Sequence, residues 1–145
     1  MCGKIVAVCT SEKKGCKKIP VESVHLLPGH GIAGDAHAGD WHRQVSLLAQ
    51  ESIEKMQKLG LSVSAGDFAE NITVSGIELH TLKIGTRIKA GQVILKVSQI
   101  GKECHTRCAI FYQAGDCIMP KEGIFAEVIQ GGEIKPGDSV EVMES

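Results

Sequence analysis

Gln92-Val93-Ile94-Leu95-Lys96-Val97-Ser98-Gln99-Ile100 is the stretch that decides the fold. Val93, Leu95 and Val97 alternate with Ile94, Lys96 and Ser98, a period of two that belongs to a strand with one buried face. Weaker versions of the rhythm recur on both sides, over Lys4–Thr10, Ser23–Leu27, Phe68–Val74, Thr86–Ala90, Phe125–Gln130 and Ser139–Met143. In the first of these, Val6 and Val8 are expected on one face and Ile5 and Ala7 on the other. Seventeen glycines and four prolines punctuate the chain. Turn chemistry stands between the runs at Pro28-Gly29, Lys83-Ile84-Gly85, Lys89-Ala90-Gly91 and Lys135-Pro136-Gly137-Asp138. Many short strands with such turns predict a mainly β barrel or sandwich carrying short helices.

One segment reads as a helix. From Leu47 to Leu59, Ala49, Ile53, Met56 and Leu59 recur at helical spacing, with Ser46 as the expected N-cap and Gly60 as the stop. A second, shorter helix is expected from about His105 to Gln113. No repeat, low-complexity stretch or linker divides the chain, so residues 1–145 are expected to form a single domain.

Composition narrows the function classes. Sixteen basic residues balance seventeen acidic ones for a net charge of −1, and aromatics make up only 3%. A nucleic-acid binder would usually carry a basic excess, and a single-strand binder would need stacking rings, so no nucleic-acid partner is expected. No apolar run reaches the length of a membrane span and no signal-peptide pattern opens the chain, so no membrane association and a cytoplasmic location are expected. Six cysteines in such a compartment point to free thiols, metal ligands or catalytic groups rather than disulfides.

Four clusters carry candidate chemistry. Ser11-Glu12-Lys13-Lys14-Gly15-Cys16-Lys17-Lys18 is either a solvated hairpin end or a loop presenting a lysine to an anion. The second runs from Gly31 to Gln44 and gathers three glycines, Asp35, Asp40, His37, His42 and Arg43. Glycines permit close approach to a ligand, and Arg43, near the expected helix start, would face an anion. An Asx-turn for Asp35 and backbone hydrogen bonds for the histidines are the alternative readings; no HExxH spacing points to histidine-bound zinc. In the third cluster, Gly66 to Thr73, alternation turns Glu70 inward with Phe68, where its charge would need Arg43 or a lysine. The fourth is Gly101-Lys102-Glu103-Cys104-His105-Thr106-Arg107-Cys108, with Cys117 following. Cys104 stands at an expected strand-to-helix turn beside Lys102, His105 and Arg107, a setting that favours a thiolate. Three readings remain open for these thiols: a nucleophilic or sulfur-carrying Cys104, a structural zinc site using Cys104, Cys108 and Cys117, or buried cysteines acting as small hydrophobes.

Taken in order, Lys-Gly-Cys-Lys-Lys, Gly-Ile-Ala-Gly-Asp-Ala-His-Ala-Gly with Arg-Gln-Val, Gly-Asp-Phe-Ala-Glu-Asn-Ile-Thr with Gly76, Leu82-Lys83-Ile84-Gly85 and the strand ending in Gly-Lys-Glu-Cys resemble the MOSC domain, the C-terminal domain of molybdenum cofactor sulfurases. The resemblance spans nearly the whole chain. It implies a β-barrel similar to the small barrel domain of pyruvate kinase, and binding of the molybdenum cofactor (molybdopterin) or of molybdate or tungstate. It implies that Cys104 carries sulfur or ligates the metal, with Lys17, Asp35, His37, Arg43, Glu70 and Asn71 lining the site; Arg107 joins them from beside the thiol. Family members include sulfur-transfer domains and reductases of N-hydroxylated compounds in which the cysteine ligates molybdenum. Glu103 stands where many members have Pro, and Cys108 and Cys117 add thiols to the pattern. The added thiols favour sulfur relay or a multi-thiolate metal site over simple reductase chemistry. No pyridoxal-phosphate domain is present to generate a persulfide, so a sulfur-donor protein, or a molybdoenzyme as acceptor, is expected in trans. A molybdenum-dependent reductase and a zinc-stabilised non-catalytic module are the alternatives.

Overall fold

The computed structural model describes residues 2–11, 18–36, 38–60, 62–66, 68, 70–101 and 122–143. Eleven strands are found among these residues: β1 Cys2–Thr10, β2 Ile19–Val21, β3 Val24–Leu27, β4 Gly31–Ile32, β5 Val45–Ala49, β6 Ile72–Ser75, β7 Arg87–Ala90, β8 Val93–Ile100, β9 Ile124–Gln130, β10 Gly132–Ile134 and β11 Ser139–Met143. One α-helix, α1, spans Gln50–Lys58, and a single 3₁₀ turn spans Leu79–Thr81. The expected second helix lies outside the described residues.

Seven strands close into a barrel in the order β1-β11-β7-β8-β9-β5-β6, with β6 returning to β1 and β2 added at the other side of β1. Closure removes the open edges that a sheet of this length would otherwise expose. Most neighbours are antiparallel. The exception is the parallel pair β5–β6, with Leu47 opposite Ile72. A parallel pair needs a crossover, and α1 lies within it. A small sheet, β10-β3-β4, contributes Val24, Leu26, Ile32 and Ile134 to the same core as the barrel.

β8 follows its alternation: Val93, Leu95 and Val97 are buried inside the barrel and Lys96 is exposed. β1 departs from its expected faces. Ile5 and Val8 are both buried while Val6 is 41% exposed, because the pairing with β6 skips from Ile5↔Val74 to Ala7↔Thr73. Val6 is the extra residue of a β-bulge, and a bulge reverses the faces of everything beyond it.

The expected helix from Leu47 also needs correction. Val45 to Ala49 is a strand buried at every position, and α1 begins only at Gln50, with Ala49 as N-cap and no side-chain cap. Ser46 is therefore no cap. A strand covered on both faces shows no alternation, so its apolar residues run straight into the helical pattern that follows. Within α1 the periodicity holds: Ile53 and Met56 are buried against Leu48, Phe68 and Phe125 on the outer wall of the barrel. Leu59 is 66% exposed, and Gly60, at φ +90°, ends the helix.

Candidate functional site

Asp35 is buried, and its carboxylate receives donors from Lys18 and Ser11. Lys18 Nζ lies 2.8 Å from Oδ1, with both side chains at 0% exposure. The Ser11 N–H donates to the same oxygen at 3.1 Å, and Lys18 Nζ also reaches Ser11 Oγ at 3.1 Å. The lysine held here is Lys18, one residue beyond the Lys17 of the motif. Asp35 thus ties the end of β1 to the strand that follows the lysine-rich loop.

Glu70 and Asn71 are equally buried. Glu70 Oε1 accepts the Gly66 N–H at 2.7 Å, within its own turn. Its Phe68 neighbour faces the apolar cluster under α1, but both residues precede β6 rather than belonging to it. Gly66 has φ +93° and packs so closely on the Lys18 carbonyl that a Cβ there would overlap it. Its carbonyl accepts the Lys18 N–H at 2.9 Å. Asn71 joins three strands. Its Oδ1 accepts the Ser46 N–H at 3.0 Å and the Ser46 hydroxyl at 3.1 Å, and its Nδ2 donates to the Cys9 carbonyl at 3.1 Å. Asn71, an expected site residue, and Ser46, the expected cap, both sit in this one bonded frame.

Arg43 is placed differently. The helix start from which it was expected to act lies seven residues further on, beyond β5. Its Nε donates to Gln99 Oε1 at 3.0 Å, and its guanidinium lies over the Phe125 ring at 5.2 Å. His42 Nε2 shares the same Gln99 oxygen at 2.9 Å, and the Ser98 hydroxyl donates to the His42 carbonyl. Gln99 Nε2 in turn donates to the Gly101 carbonyl at 2.7 Å. The terminal guanidinium nitrogens of Arg43 make no hydrogen bond to the described residues. An arginine with its Nε and one face occupied, and its outer fork open, is set up to meet an oxyanion.

Gln99 gave no signal in the sequence. Plain alternation from Val93, Leu95 and Val97 would turn it into the barrel. The pairing with β9 instead skips from Val97↔Ala126 to Gln99↔Phe125, so Ser98 is bulged and Gln99 shares the outward face of Phe125.

Gly101 and Glu122 are the anchored flanks of the Cys104 region. The Gly101 N–H donates to the Gly123 carbonyl at 2.6 Å. Glu122 accepts the Ser52 hydroxyl at 2.7 Å and Lys55 Nζ at 3.0 Å, both from α1, in a cleft of about 460 Å³ that also holds Glu51, Glu78 and His80. Burial pushes the Glu122 carboxyl up, but the Ser52 hydrogen bond and the bond and charge of Lys55, with His80, outweigh it and hold it below its ordinary 4.5. Cys104, Cys108, Cys117, Arg107, Lys17 and His37 lie outside the described residues. Of the expected site residues that are described, Asp35, Glu70 and Asn71 stand in the buried frame and Arg43 in the half-exposed one. Among the described residues no group of histidines, cysteines and carboxylates is arranged to hold a metal ion, and no helix is long and apolar enough to cross a membrane.

A barrel of this topology with a glycine-rich stretch that brings His42 and Arg43 to the end of β8 defines a class, and the comparisons name it. The MOSC domain family matches residues 34–141. The chain belongs to that family, which is linked to molybdenum cofactor-related function. Among solved structures, the YuaD protein from Bacillus subtilis superposes with a TM-score of 0.81 at 21% identity, over 98% of this chain and 96% of that one. YiiM from Geobacillus stearothermophilus gives 0.72 at 21% identity, over 98% of this chain and 75% of that one. YiiM from Escherichia coli gives 0.70 at 19% identity, over 100% and 71%. At these identities the likeness is one of fold. No curated protein matches the chain.

Proposed function

We propose that this chain binds the molybdenum cofactor, or its tungsten counterpart, and uses Cys104 as a sulfur-carrying thiol. The observation that carries the reading is Arg43: fixed through Nε on Gln99 and through its face on Phe125, it keeps its terminal donors open among the described residues. Those donors suit a phosphate or a metal oxyanion, which a planar fork binds in pairs. Sequence connectivity supports a common site. Cys104 is three residues from Gly101, so its Cα stays within about 11 Å of the Gly101 Cα. When bound, the cofactor supplies a molybdenum or tungsten centre whose soft sulfur chemistry a thiolate matches.

Roles for this chain's own residues follow. Arg43, with Lys17, His37 and Arg107, holds the anionic groups. Asp35, Glu70 and Asn71 keep the frame from which those groups are presented. Lys102, His105 and Arg107, next to Cys104 in sequence, would favour its thiolate. That thiolate attacks the terminal sulfur of a persulfide on a donor protein. The donor's S–S bond breaks, the donor leaves as a thiolate, and the persulfide remains on Cys104.

The test is elemental and pterin analysis of protein purified anaerobically from a molybdate-supplemented culture, beside Cys104→Ala and Arg43→Ala. Molybdenum or tungsten with pterin, lost from Arg43→Ala, and sulfane sulfur absent from Cys104→Ala, is the expected result. One zinc per chain with neither pterin nor sulfane sulfur would replace this reading with the zinc-stabilised module.

A further inference from the structure

Gln99 receives both side chains of the His42-Arg43 pair and holds the backbone at Gly101. Its orientation is fixed twice over. Arg43 Nε can only donate, so the Gln99 atom 3.0 Å away must be the amide oxygen. The Gly101 carbonyl can only accept, so the atom 2.7 Å from it must be the amide nitrogen. Both ends agree, and the flip ambiguity of a glutamine amide disappears. His42 Nε2 meets that same oxygen at 2.9 Å and must therefore carry a proton. In the neutral ring the other nitrogen, Nδ1, is then the sole acceptor.

We infer that Gln99 is the positioning residue of this site: it locks Arg43 and His42 to Gly101, the last described residue before Cys104, and sets His42 in the Nε2-protonated tautomer. The inference rests on the proposed cofactor site for its functional meaning, but not for its geometry. The Ser98 bulge makes the arrangement possible, since without it the amide would point into an apolar barrel. Bulges re-aim side chains in this way beside functional sites. The pair is thereby held by hydrogen bonds to one amide rather than left to the mobility of a glycine-rich loop. An arginine pre-placed in this way loses less conformational freedom when an anion arrives.

The experiment is nitrogen NMR of the full chain without ligand, the His42 ring being assigned by loss of its signals in His42→Gln. In the wild type, neutral His42 is protonated at Nε2 and the Arg43 Nε–H exchanges slowly. Gln99→Leu removes the shared acceptor, and one hydrogen bond of ordinary strength predicts a fall of about five-fold in the Nε2-to-Nδ1 tautomer ratio, with faster Arg43 Nε–H exchange. Gln99→Glu keeps an acceptor for both side chains but loses the donor to Gly101. It therefore retains the tautomer while the Gly101 carbonyl loses its side-chain donor and its carbon-13 shift moves in a companion carbon spectrum, and this variant decides the matter if Gln99→Leu does not fold. A His42 tautomer ratio and Arg43 exchange rate within about two-fold of wild type in Gln99→Leu, or an unaltered Gly101 carbonyl shift in Gln99→Glu, overturns the inference. Neither readout needs cofactor, so Gln99's role is decided even where the analysis of Arg43→Ala rejects the cofactor site. If both hold, Gln99→Leu lowers molybdate affinity in the same direction as Arg43→Ala.

Discussion

The Lys18–Asp35 network and the Arg43–Gln99 network are built from the same kinds of residue, and the glycine-rich stretch from Gly31 to Gln44 supplies a member to each. They differ in what each leaves over. Lys18 and Asp35 face one another at 0% exposure, so both charges are spent inside the protein. Arg43 is half-buried, with one nitrogen and one face used and, among the described residues, no partner on its outer fork. A charge that is fully buried and paired holds the chain, whereas a charge that is held and still open is available to a ligand. Residue type cannot separate these two roles, because the chemistry that would grip an anion also makes an internal ion pair.

The largest effect expected from this contrast is on the buried side. Asp35→Ala leaves the Lys18 ammonium without its carboxylate and should destabilise the fold by about 3–5 kcal/mol, the loss typical of a broken buried pair. Replacing both partners together, as Asp35→Leu with Lys18→Met, should recover much of that loss, since no charge is then stranded. Denaturant midpoints check both. A loss under about 1 kcal/mol for Asp35→Ala would put the pair in the class of solvated surface bridges and collapse the comparison. Asn71→Leu comes next. It removes the acceptor of the Ser46 N–H and the donor to the Cys9 carbonyl, and should lower stability by about 2–4 kcal/mol through buried groups left unmatched.

A smaller effect distinguishes the anchoring of Glu122 from either network. Its carboxyl titrates below the ordinary 4.5, so its interactions with Ser52 and Lys55 stabilise the fold above that pH. The contribution is lost as pH falls through the depressed folded-state value, because the unfolded chain then takes up the proton first. Ser52→Ala should cost about 1 kcal/mol at neutral pH and flatten the acid limb of the stability profile, read from denaturant midpoints between pH 3 and 7, roughly the span over which a carboxyl of this kind titrates.

The fold was legible where one face of an element meets water and the other does not. β8 and β11 could be read from alternation, and the core of α1 from Ile53 and Met56. β5 was not legible, because Val45-Ser46-Leu47-Leu48-Ala49 is covered on both sides and merges with the helical pattern after it. The bulges at Val6 and Ser98 were not legible. Val6 and Ser98 each add one residue to a strand, and only the partner strand's register reveals it. The same limit governs the site. Arg43 could be named from its motif and so could Asp35. That one is open and the other enclosed depends on Lys18 arriving from a separate part of the chain, and on a bulge that turns Gln99 outward. Gln99 itself, a glutamine at the end of a strand, offered nothing to single it out.

Arg43→Ala gives the smallest change in stability and the sharpest test of the contrast. It removes one half-buried hydrogen bond to Gln99 and a cation–π contact with Phe125, so the fold should lose about 1 kcal/mol or less. The same substitution should abolish retention of pterin and metal, because the open donors of the fork are the ones a phosphate or oxyanion would engage. Arg43→Lys separates charge from shape. A lysine keeps the positive charge but has neither the Nε–H that Gln99 receives nor a planar fork, so it should retain the wild-type stability to within about 0.5 kcal/mol and still bind the anion weakly. If Arg43→Ala instead destabilised the fold as much as Asp35→Ala, while anion retention followed stability, Arg43 would be a second frame residue. The division between a spent and an open charge would then no longer describe this protein.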